Sequence, residues 1–171
     1  MKLIPLFPLI LASFILVGCA TVHPMRQKLH DDFDRLEIGS VTSAWHFAAQ
    51  WGMFDEYFDA MTDDAVFLGT DATERWTKAE FMEYAREPFA DNSGWTYKPR
   101  DQHVAFSDDR QTAWVDELLD NEKYGTLRGT AVLVKQGDDW KIAHYSLTFL
   151  VPNEIAGEVV ELIKTDPAGT D

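Results

Sequence analysis

The chain has 171 residues, of which 46% are hydrophobic, and a formal net charge of -14 at pH 7. This length suits one domain with a substantial apolar core. Proteins that bind nucleic acids neutralise phosphates with clustered Lys and Arg, and the sequence contains no such cluster. The composition therefore excludes a nucleic-acid partner, and the acidic excess is typical of a solvated surface.

The first residues have the features of a targeting signal. Lys2 supplies a positive charge, and an apolar run extends from Leu3 to Val17. The run is too short to cross a membrane comfortably, and Pro5 and Pro8 disfavour a helix. Residues 1–18 are therefore predicted to be a signal peptide that is not part of the folded domain.

The only cysteine of the chain follows this run directly. The pair Gly18-Cys19 resembles the lipobox of bacterial lipoproteins, a family in which the cysteine sulfur carries a fatty acyl group such as palmitate and becomes the first residue after cleavage. The alternative is an ordinary signal peptide with an incidental cysteine, which leaves an unpaired thiol in an exported protein. Several acyl chains anchor a protein stably, because each buried methylene contributes about 0.8 kcal/mol.

The same resemblance predicts where the protein is located. Ala20, rather than Asp, follows the cysteine, which implies sorting to the outer membrane. The expected location is the cell envelope, with the protein lipid-anchored at the periplasmic face of the outer membrane. Residues 19–30 are predicted to form a short tether between this anchor and the domain.

Helices are predicted to dominate the N-terminal half of the domain. Apolar residues recur every three or four positions over residues 31–51, and residues 53–61 show a second, shorter helical pattern. A strand is expected at residues 65–69, and Thr77 and Glu80 have the spacing of a capping box that opens a third helix. The residues expected on the buried side of the first helix are Phe33, Leu36, Ser40 or Val41, Ala44, Phe47 or Ala48, and Trp51.

The C-terminal half is predicted to form an antiparallel meander. Its three strands are expected at residues 111–119, 126–135 and 140–151, where β-branched and aromatic residues are enriched and Gly, Asp and Asn are confined to the breaks. Residues 95–98 and 102–106 are two further strand candidates. One apolar face of such a sheet must be buried, and the preceding helices are expected to pack against it. This arrangement predicts an α+β fold.

Five segments carry a family resemblance, namely Phe67–Asp71, Glu74–Trp76, Ala113–Glu117, Arg128–Thr130 and Trp140–Tyr145. Taken together, they resemble the SnoaL-like branch of the nuclear transport factor 2-like superfamily. The resemblance implies a cone of strongly curved antiparallel sheet around a pocket, with the N-terminal helices closing one face. This cone domain is expected at residues 31–164, with a terminal helix at its end and a flexible tail at residues 165–171. The superfamily includes isomerases, dehydratases, cyclases and proteins without known chemistry, so the fold alone predicts no activity.

Strand pairing decides which polar residues share a face. If Glu117 pairs with Arg128 and Lys135 pairs with Trp140, side-chain alternation places Tyr145 beside the first pair. Arg has a planar fork of donors and Tyr has a hydroxyl, so Glu117, Arg128 and Tyr145 could bind a polar or anionic ligand. The alternative is a structural ion pair, which is common between neighbouring strands and individually weak.

The opposite face carries the candidate catalytic residues. Asp116 and His144 could act as a general base and its orienting partner, although a His between apolar strand residues is more often structural. Glu74 and Trp76 are expected in the loop after the first strand, where the family resemblance places them near the pocket mouth. Trp76 could line the pocket and contact a ligand, or it could pack in the hydrophobic core.

The sequence shows no pattern for a metal or a cofactor. Its five histidines lack paired ligand spacing, and it contains no glycine-rich phosphate loop. The leading hypothesis is an envelope lipoprotein whose pocket binds a small, partly apolar molecule. The alternatives are an isomerase, dehydratase or hydrolase that uses a pocket Asp or His, and a module that forms a homodimer through the outer face of the sheet.

Overall fold

The computed structural model describes residues 19–90 and 93–165. The predicted signal peptide, most of the predicted tail and the side chain of Cys19 lie outside this part of the chain. The chain divides into two compact units, Met1–Leu36 and Glu37–Asp171. Residues 19–30 are helical in the structure, and their role as a tether stays a prediction.

Four helices and six strands follow one another along the chain. Pairing of these strands joins them into one sheet in the order β2-β1-β6-β5-β4-β3. In chain order the elements are α1 (Cys19–Gln50), α2 (Phe54–Asp59), β1 (Met61–Leu68), β2 (Arg75–Thr77), α3 (Lys78–Ala85), β3 (Lys98–Phe106), β4 (Thr112–Asn121), β5 (Gly125–Gln136), β6 (Asp139–Phe149) and α4 (Ala156–Thr165).

The predicted α+β class and the predicted meander are confirmed. β4, β5 and β6 pair antiparallel in sequence order, and the sheet is curved and unclosed. One pairing differs from the prediction, because β1 lies parallel to β6 and makes the sheet mixed. Parallel neighbours require a long connection, and here β2, α3 and three further strands separate the two partners along the chain.

Of the two predicted strand candidates, all of the second but only the last residue of the first belong to β3. Residues 95–98 and 102–106 were expected to be separate, whereas β3 is continuous from Lys98 to Phe106. Its pairing with β4 shifts between Arg100 and His103. Asp101 has a φ of 49° at this irregularity, so a local bulge interrupts the polar stretch without ending the strand.

The prediction for the buried side of α1 is right only for Ala48, which is buried, and for Val41, which packs against the core. Phe33, Leu36, Ala44, Phe47 and Trp51 are all exposed, and Leu36 is 72% exposed. Apolar residues occupy more than one side of this helix, so spacing alone does not identify the buried side. The buried residues follow a second pattern with the same spacing, namely Ile38, Thr42, Trp45 and Ala49, with His46 and Ala48 beside them.

The capping box at the start of α3 is confirmed. The Thr77 side chain accepts a hydrogen bond from the Glu80 backbone N–H, and the Glu80 carboxylate accepts one from the Thr77 N–H at 2.9 Å. Two N–H groups at the helix end are thereby satisfied. Phe81 and Ala85 on the helix they start are buried against the sheet core.

The predicted pairing of Glu117 with Arg128 is wrong by one residue. Glu117 lies opposite Gly129, and Arg128 lies opposite Leu118. The reason is a turn of only three residues, in which the Asn121 carboxamide oxygen accepts hydrogen bonds from two backbone N–H groups and Gly125 has a φ of 73°. A slip of one residue moves a side chain to the other face, so Arg128 is exposed on the outer face of the sheet.

The second predicted pairing is confirmed at the turn but changes further along the strands. Lys135 lies opposite Trp140, as expected. The register then shifts between Val132 and Leu133, so that Leu147 rather than Ser146 lies opposite Gly129. This irregularity turns Tyr145 and Leu147 toward the concave face of the sheet, where both are buried.

The last helix is separate from this core. α4 contains no buried residue, and Val160, Leu162 and Ile163 on it are exposed. Within residues 19–90 and 93–165, no helix combines the length and apolar character needed to cross a membrane.

Candidate functional site

The concave face of the sheet and the helices that cover it surround a cavity of about 340 Å³. Cavities that bind small molecules commonly start at this size. All five tyrosines of the sequence line it. The lining residues are Trp45, His46, Ala49, Tyr57, Phe67, Gly69, Thr70, Glu74, Trp76, Phe81, Tyr84, Trp95, Tyr97, Leu119, Tyr124, Tyr145, Leu147 and Phe149.

One wall of the cavity consists of nearly parallel aromatic rings. The Trp76 and Tyr84 rings are 4.8 Å apart between centroids and inclined by 20°. Phe81 and Trp95 are 5.7 Å apart and inclined by 4°. Gly94 lets this wall approach α1, because a side chain there would overlap the Ala49 carbonyl oxygen. Parallel faces of this kind favour stacking with a planar molecule.

A buried polar cluster lies beside the inner end of the cavity. The Nε2 atom of His46 is 2.7 Å from Oε1 of Glu117, and the Tyr145 hydroxyl donates a hydrogen bond of 2.9 Å to the same oxygen. Only 1% of Glu117 is exposed. A carboxylate is tolerated at such a place because each of its oxygens has hydrogen-bond partners.

The second oxygen of Glu117 is bound from β3. Gln102 donates from Nε2 to Oε2 of Glu117 at 3.0 Å and to the Thr42 hydroxyl oxygen at 2.9 Å. The Thr42 hydroxyl donates in turn to the backbone carbonyls of Ile38 and Gly39. Residues of β3, β4, β6 and α1 thus hold the cluster together, which orients His46 at the cavity.

The environment of Glu117 favours its ionised form. Burial raises the pKa of this carboxyl, but hydrogen bonds from His46, Gln102 and Tyr145 and the attraction of His46 outweigh burial, so its pKa lies below the ordinary value. An ionised carboxylate only accepts hydrogen bonds, so Nε2 of His46 carries the shared proton. In a neutral His46, Nδ1 is then the nitrogen that can accept a proton.

Tyr57, Tyr97 and Tyr145 remain protonated at neutral pH. Burial raises the pKa of Tyr57 and Tyr145 well above the ordinary value, and the Glu117 charge adds to the effect at Tyr145. Burial, with smaller effects from neighbouring tyrosines and Glu74, raises the pKa of Tyr97 to about 12. These three residues therefore present neutral phenol groups rather than phenolates.

The structure brings four of the predicted binding residues together. Glu74, Trp76 and Tyr145 line the cavity, and Glu117 is hydrogen-bonded to Tyr145 immediately beside it. Trp76 belongs to β2 rather than to a loop, because it pairs with Phe67 of β1. Arg128 is not part of this group, since the register places it on the outer face.

The two candidate catalytic residues lie away from the cavity. Asp116 is exposed, and neither it nor His144 lines the cavity. His144 lies opposite Val132, whereas Asp116 lies opposite Thr130, so the two are two strands apart and offset along them. Two strand spacings amount to roughly 10 Å, too far for a hydrogen bond. The expected pairing of Asp116 with His144 is therefore wrong.

His46 and Gln102 are the polar residues of the site that sequence reasoning missed. His46 lies on α1, and the sequence signal for it was the pattern of Ile38, Thr42, Trp45 and Ala49, which places position 46 beside the buried side. Gln102 follows the bulge in β3, which no local pattern predicted. Among the described residues, no group of three or more His, Cys, Asp or Glu is arranged to hold a metal ion.

Comparison with known families gives a match over most of the domain. The model of the family described as SnoaL-like domain matches residues 38–152. These residues contain the whole cavity lining and the polar cluster around Glu117. No curated protein matches the sequence significantly.

Solved structures share the fold at low sequence identity. A nuclear transport factor 2-like protein of unknown function from Pseudomonas putida KT2440 is 16% identical, with a TM-score of 0.58 over 69% of this chain and 87% of that one. A candidate dehydratase of the same family from Streptomyces avermitilis is 16% identical, with a TM-score of 0.61 over 71% and 99%. A candidate scytalone dehydratase from Novosphingobium aromaticivorans DSM 12444 is 9% identical, with a TM-score of 0.60 over 71% and 87%. These similarities establish the fold.

Proposed function

The chain belongs to the SnoaL-like domain family, and from this membership and its cavity we propose that it binds a small, planar, partly apolar molecule. The observation that carries the proposal is the cavity of about 340 Å³ with eleven aromatic side chains among its eighteen lining residues. Aromatic walls supply apolar contact area, and a few polar groups fix the orientation of a ligand. His46 and Glu74 are the polar residues placed for that purpose.

A neutral fluorescent probe tests this proposal directly. N-phenyl-1-naphthylamine should bind with one site per chain and gain fluorescence in the apolar cavity. Thr70 is exposed and lines the cavity, so Thr70→Phe should narrow the mouth and weaken probe binding at least about tenfold. Thr148→Phe is the matched control, because Thr148 is exposed and lies outside the cavity. Equal binding by all three proteins would contradict the proposal.

A second candidate function is proton-transfer catalysis. The 2.7 Å contact between His46 and Glu117 favours it, because an oriented imidazole beside a cavity is the usual arrangement for a general base. Two of the structural neighbours are candidate dehydratases, which fits this chemistry at the level of the fold. In this hypothesis His46 takes up the proton and Glu117 holds the imidazole in position.

Exchange of a carbon-bound proton tests the second candidate. In heavy water, the protein should accelerate deuterium exchange at the α-carbon of 2-tetralone, a small aromatic ketone, as followed by NMR. His46→Gln should reduce the acceleration by about 10²- to 10⁴-fold while N-phenyl-1-naphthylamine still binds. If the protein gives no acceleration, the cavity only binds.

We also propose that the domain is held at the cell envelope by acylation of Cys19. The support is the sequence Gly18-Cys19 after an apolar run and the lack of any second cysteine. In a bacterial host, the protein should incorporate a labelled palmitate analogue and fractionate with the outer membrane. Cys19→Ala should remove both properties, and label retained by this variant would disprove the anchor. The predicted homodimer stays a prediction that sedimentation at micromolar concentration can test.

A further inference from the structure

The cavity differs from an ordinary apolar pocket in the charges that surround it. None of its lining residues in the described chain is Lys or Arg, whereas Glu74 contributes a half-buried carboxylate. Oε2 of Glu74 accepts a hydrogen bond of 3.1 Å from the Asp71 backbone N–H. Glu74 makes no ion pair with any residue that the structure describes, and His46 is already bound to Glu117. The cavity therefore has one carboxylate without a cationic partner.

The tyrosines near Glu74 respond to this negative charge. Burial is the main cause of the raised pKa of Tyr84 and Tyr97, and the charge of Glu74 raises both further. A negative potential that opposes phenolate formation also opposes entry of an anion and favours a cation. The anionic ligand considered from the sequence required Arg128, which lies on the outer face.

The aromatic faces add to the attraction for positive charge. The π face of Trp, Tyr or Phe attracts an ammonium group within about 6 Å of the ring centre. At Tyr124, the Lys123 Nζ atom donates a hydrogen bond of 2.8 Å to the hydroxyl and lies 4.7 Å from the ring centroid. The other aromatic rings of the cavity have no such partner within the described chain.

The rings of this wall lie nearly parallel to one another. Trp76 and Tyr84 are 4.8 Å apart between centroids, and Tyr84 and Trp95 are 6.0 Å apart. Glu74 lines the same cavity as these rings, so an ammonium in front of an open ring face would share the cavity with the Glu74 carboxylate. Aromatic walls with a nearby carboxylate are the arrangement that suits a quaternary or otherwise substituted ammonium.

We infer that the ligand of this cavity is a small organic cation of the substituted-ammonium class, held by Glu74 and the Trp76, Tyr84 and Trp95 rings. The inference rests on the proposed function, because it specifies the charge of the molecule that the cavity binds. Its apolar part packs on the aromatic walls, and its positive end lies at the level of Glu74.

Three probes of nearly equal shape test the inference. Phenyltrimethylammonium, tert-butylbenzene and benzenesulfonate are cationic, neutral and anionic. In displacement of N-phenyl-1-naphthylamine, the cation should bind at least about tenfold more tightly than tert-butylbenzene, and benzenesulfonate should bind most weakly. Glu74→Gln keeps the shape of the side chain and the oxygen that accepts the hydrogen bond from Asp71. It should weaken binding of the cation about three- to tenfold and leave binding of tert-butylbenzene unchanged. Glu87→Gln, an exposed carboxylate outside the cavity, is the matched control.

The outcomes separate this inference from the proposed function. If N-phenyl-1-naphthylamine binds but tert-butylbenzene equals or exceeds the cation, the cation inference is overturned and the proposed function stands. If Glu74→Gln leaves the preference for the cation unchanged, the assignment of Glu74 is overturned. If calorimetry detects binding of neither the fluorescent probe nor any of the three compounds, both the inference and the proposed function fail.

Discussion

The absence of a side chain at Gly129 is what makes room for the hydroxyl of Tyr145. A Cβ atom at position 129 would overlap the Tyr145 hydroxyl and would lie 3.1 Å from Cδ1 of Leu119. Tyr145 is 2% exposed and fixed to Glu117, so it cannot move away without breaking that hydrogen bond. A glycine on this strand therefore determines the geometry of the polar cluster.

Gly129→Ala should destabilise the fold by about 1–3 kcal/mol, the usual cost of overpacking a core. Urea denaturation measures this loss. Gly157→Ala provides the control, because no atom lies within 4 Å of a Cβ there and the residue is in a helix. That substitution should be neutral or stabilising by roughly 0.5–1 kcal/mol. An unchanged stability for Gly129→Ala would mean that Tyr145 is not confined as described.

Ionisation of Glu117 should make the stability of the fold depend on pH. Hydrogen bonds and the charge of His46 outweigh burial and lower its pKa in the folded state. A lowered folded-state pKa means that the stabilisation is fully present above the unfolded value of about 4.3 and is lost as pH falls through the folded value. The stability advantage over Glu117→Gln should thus shrink as the pH falls below about 4.3.

Denaturation of both proteins between pH 3 and pH 7 measures this difference. Tyr145→Phe removes one of the hydrogen-bond donors to Glu117. This variant should therefore lose less stability on acidification than the wild type. A difference between wild type and Glu117→Gln that grows on acidification would show that Glu117 is not stabilised as a carboxylate.

Sequence patterns within one helix or strand predicted its structure correctly, whereas packing and register between helices and strands could not be predicted from the sequence. The meander, the capping box at Thr77 and the order of helices followed from local spacing. The buried side of α1 did not, because two patterns of the same period compete and only packing selects between them. Glu74, Trp76, Glu117 and Tyr145 were recognised, whereas Arg128 was misplaced by a single residue in one turn.

The same limit explains the unpredicted half of the site. His46 comes from α1 and Gln102 from a bulged strand, and both reach Glu117 only after the sheet curves. Their sequence separations from Glu117 are 71 and 15 residues. A turn of three residues and two bulges set this geometry, and no hydrophobic pattern encodes their positions.

α4 should contribute little to the stability of the domain. None of its residues is buried, and Leu162 and Ile163 are 69% and 59% exposed. Truncation after Asn153 should therefore change Tm by less than about 2 °C and leave binding of N-phenyl-1-naphthylamine unchanged. The control is Phe81→Ala in α3. Phe81 is 1% exposed, so this substitution should lower the free energy of unfolding by about 3–5 kcal/mol. A comparable loss on truncation would show that α4 packs in solution.

The whole molecule carries a large excess of negative charge, with 29 acidic and 15 basic residues apart from histidine. Several of the ion pairs in the described chain lie at the surface, such as Arg86 with Glu83 and Lys164 with Glu161. Pairs of this kind contribute roughly 0–1 kcal/mol each. Repulsion among the remaining carboxylates therefore opposes folding, and the same field attracts cations toward the cavity.

Salt should separate these two consequences of the charge. From 0.01 to 0.1 M NaCl, the Debye length falls from about 30 to about 10 Å, so repulsion weakens and Tm should rise by roughly 2–4 °C, which corresponds to about 1 kcal/mol. Calorimetry measures this change. Over the same range, phenyltrimethylammonium should bind more weakly while tert-butylbenzene is unaffected, because only the cation responds to the field of the protein. A Tm that falls with salt would show that attractive pairs outweigh repulsion among the carboxylates.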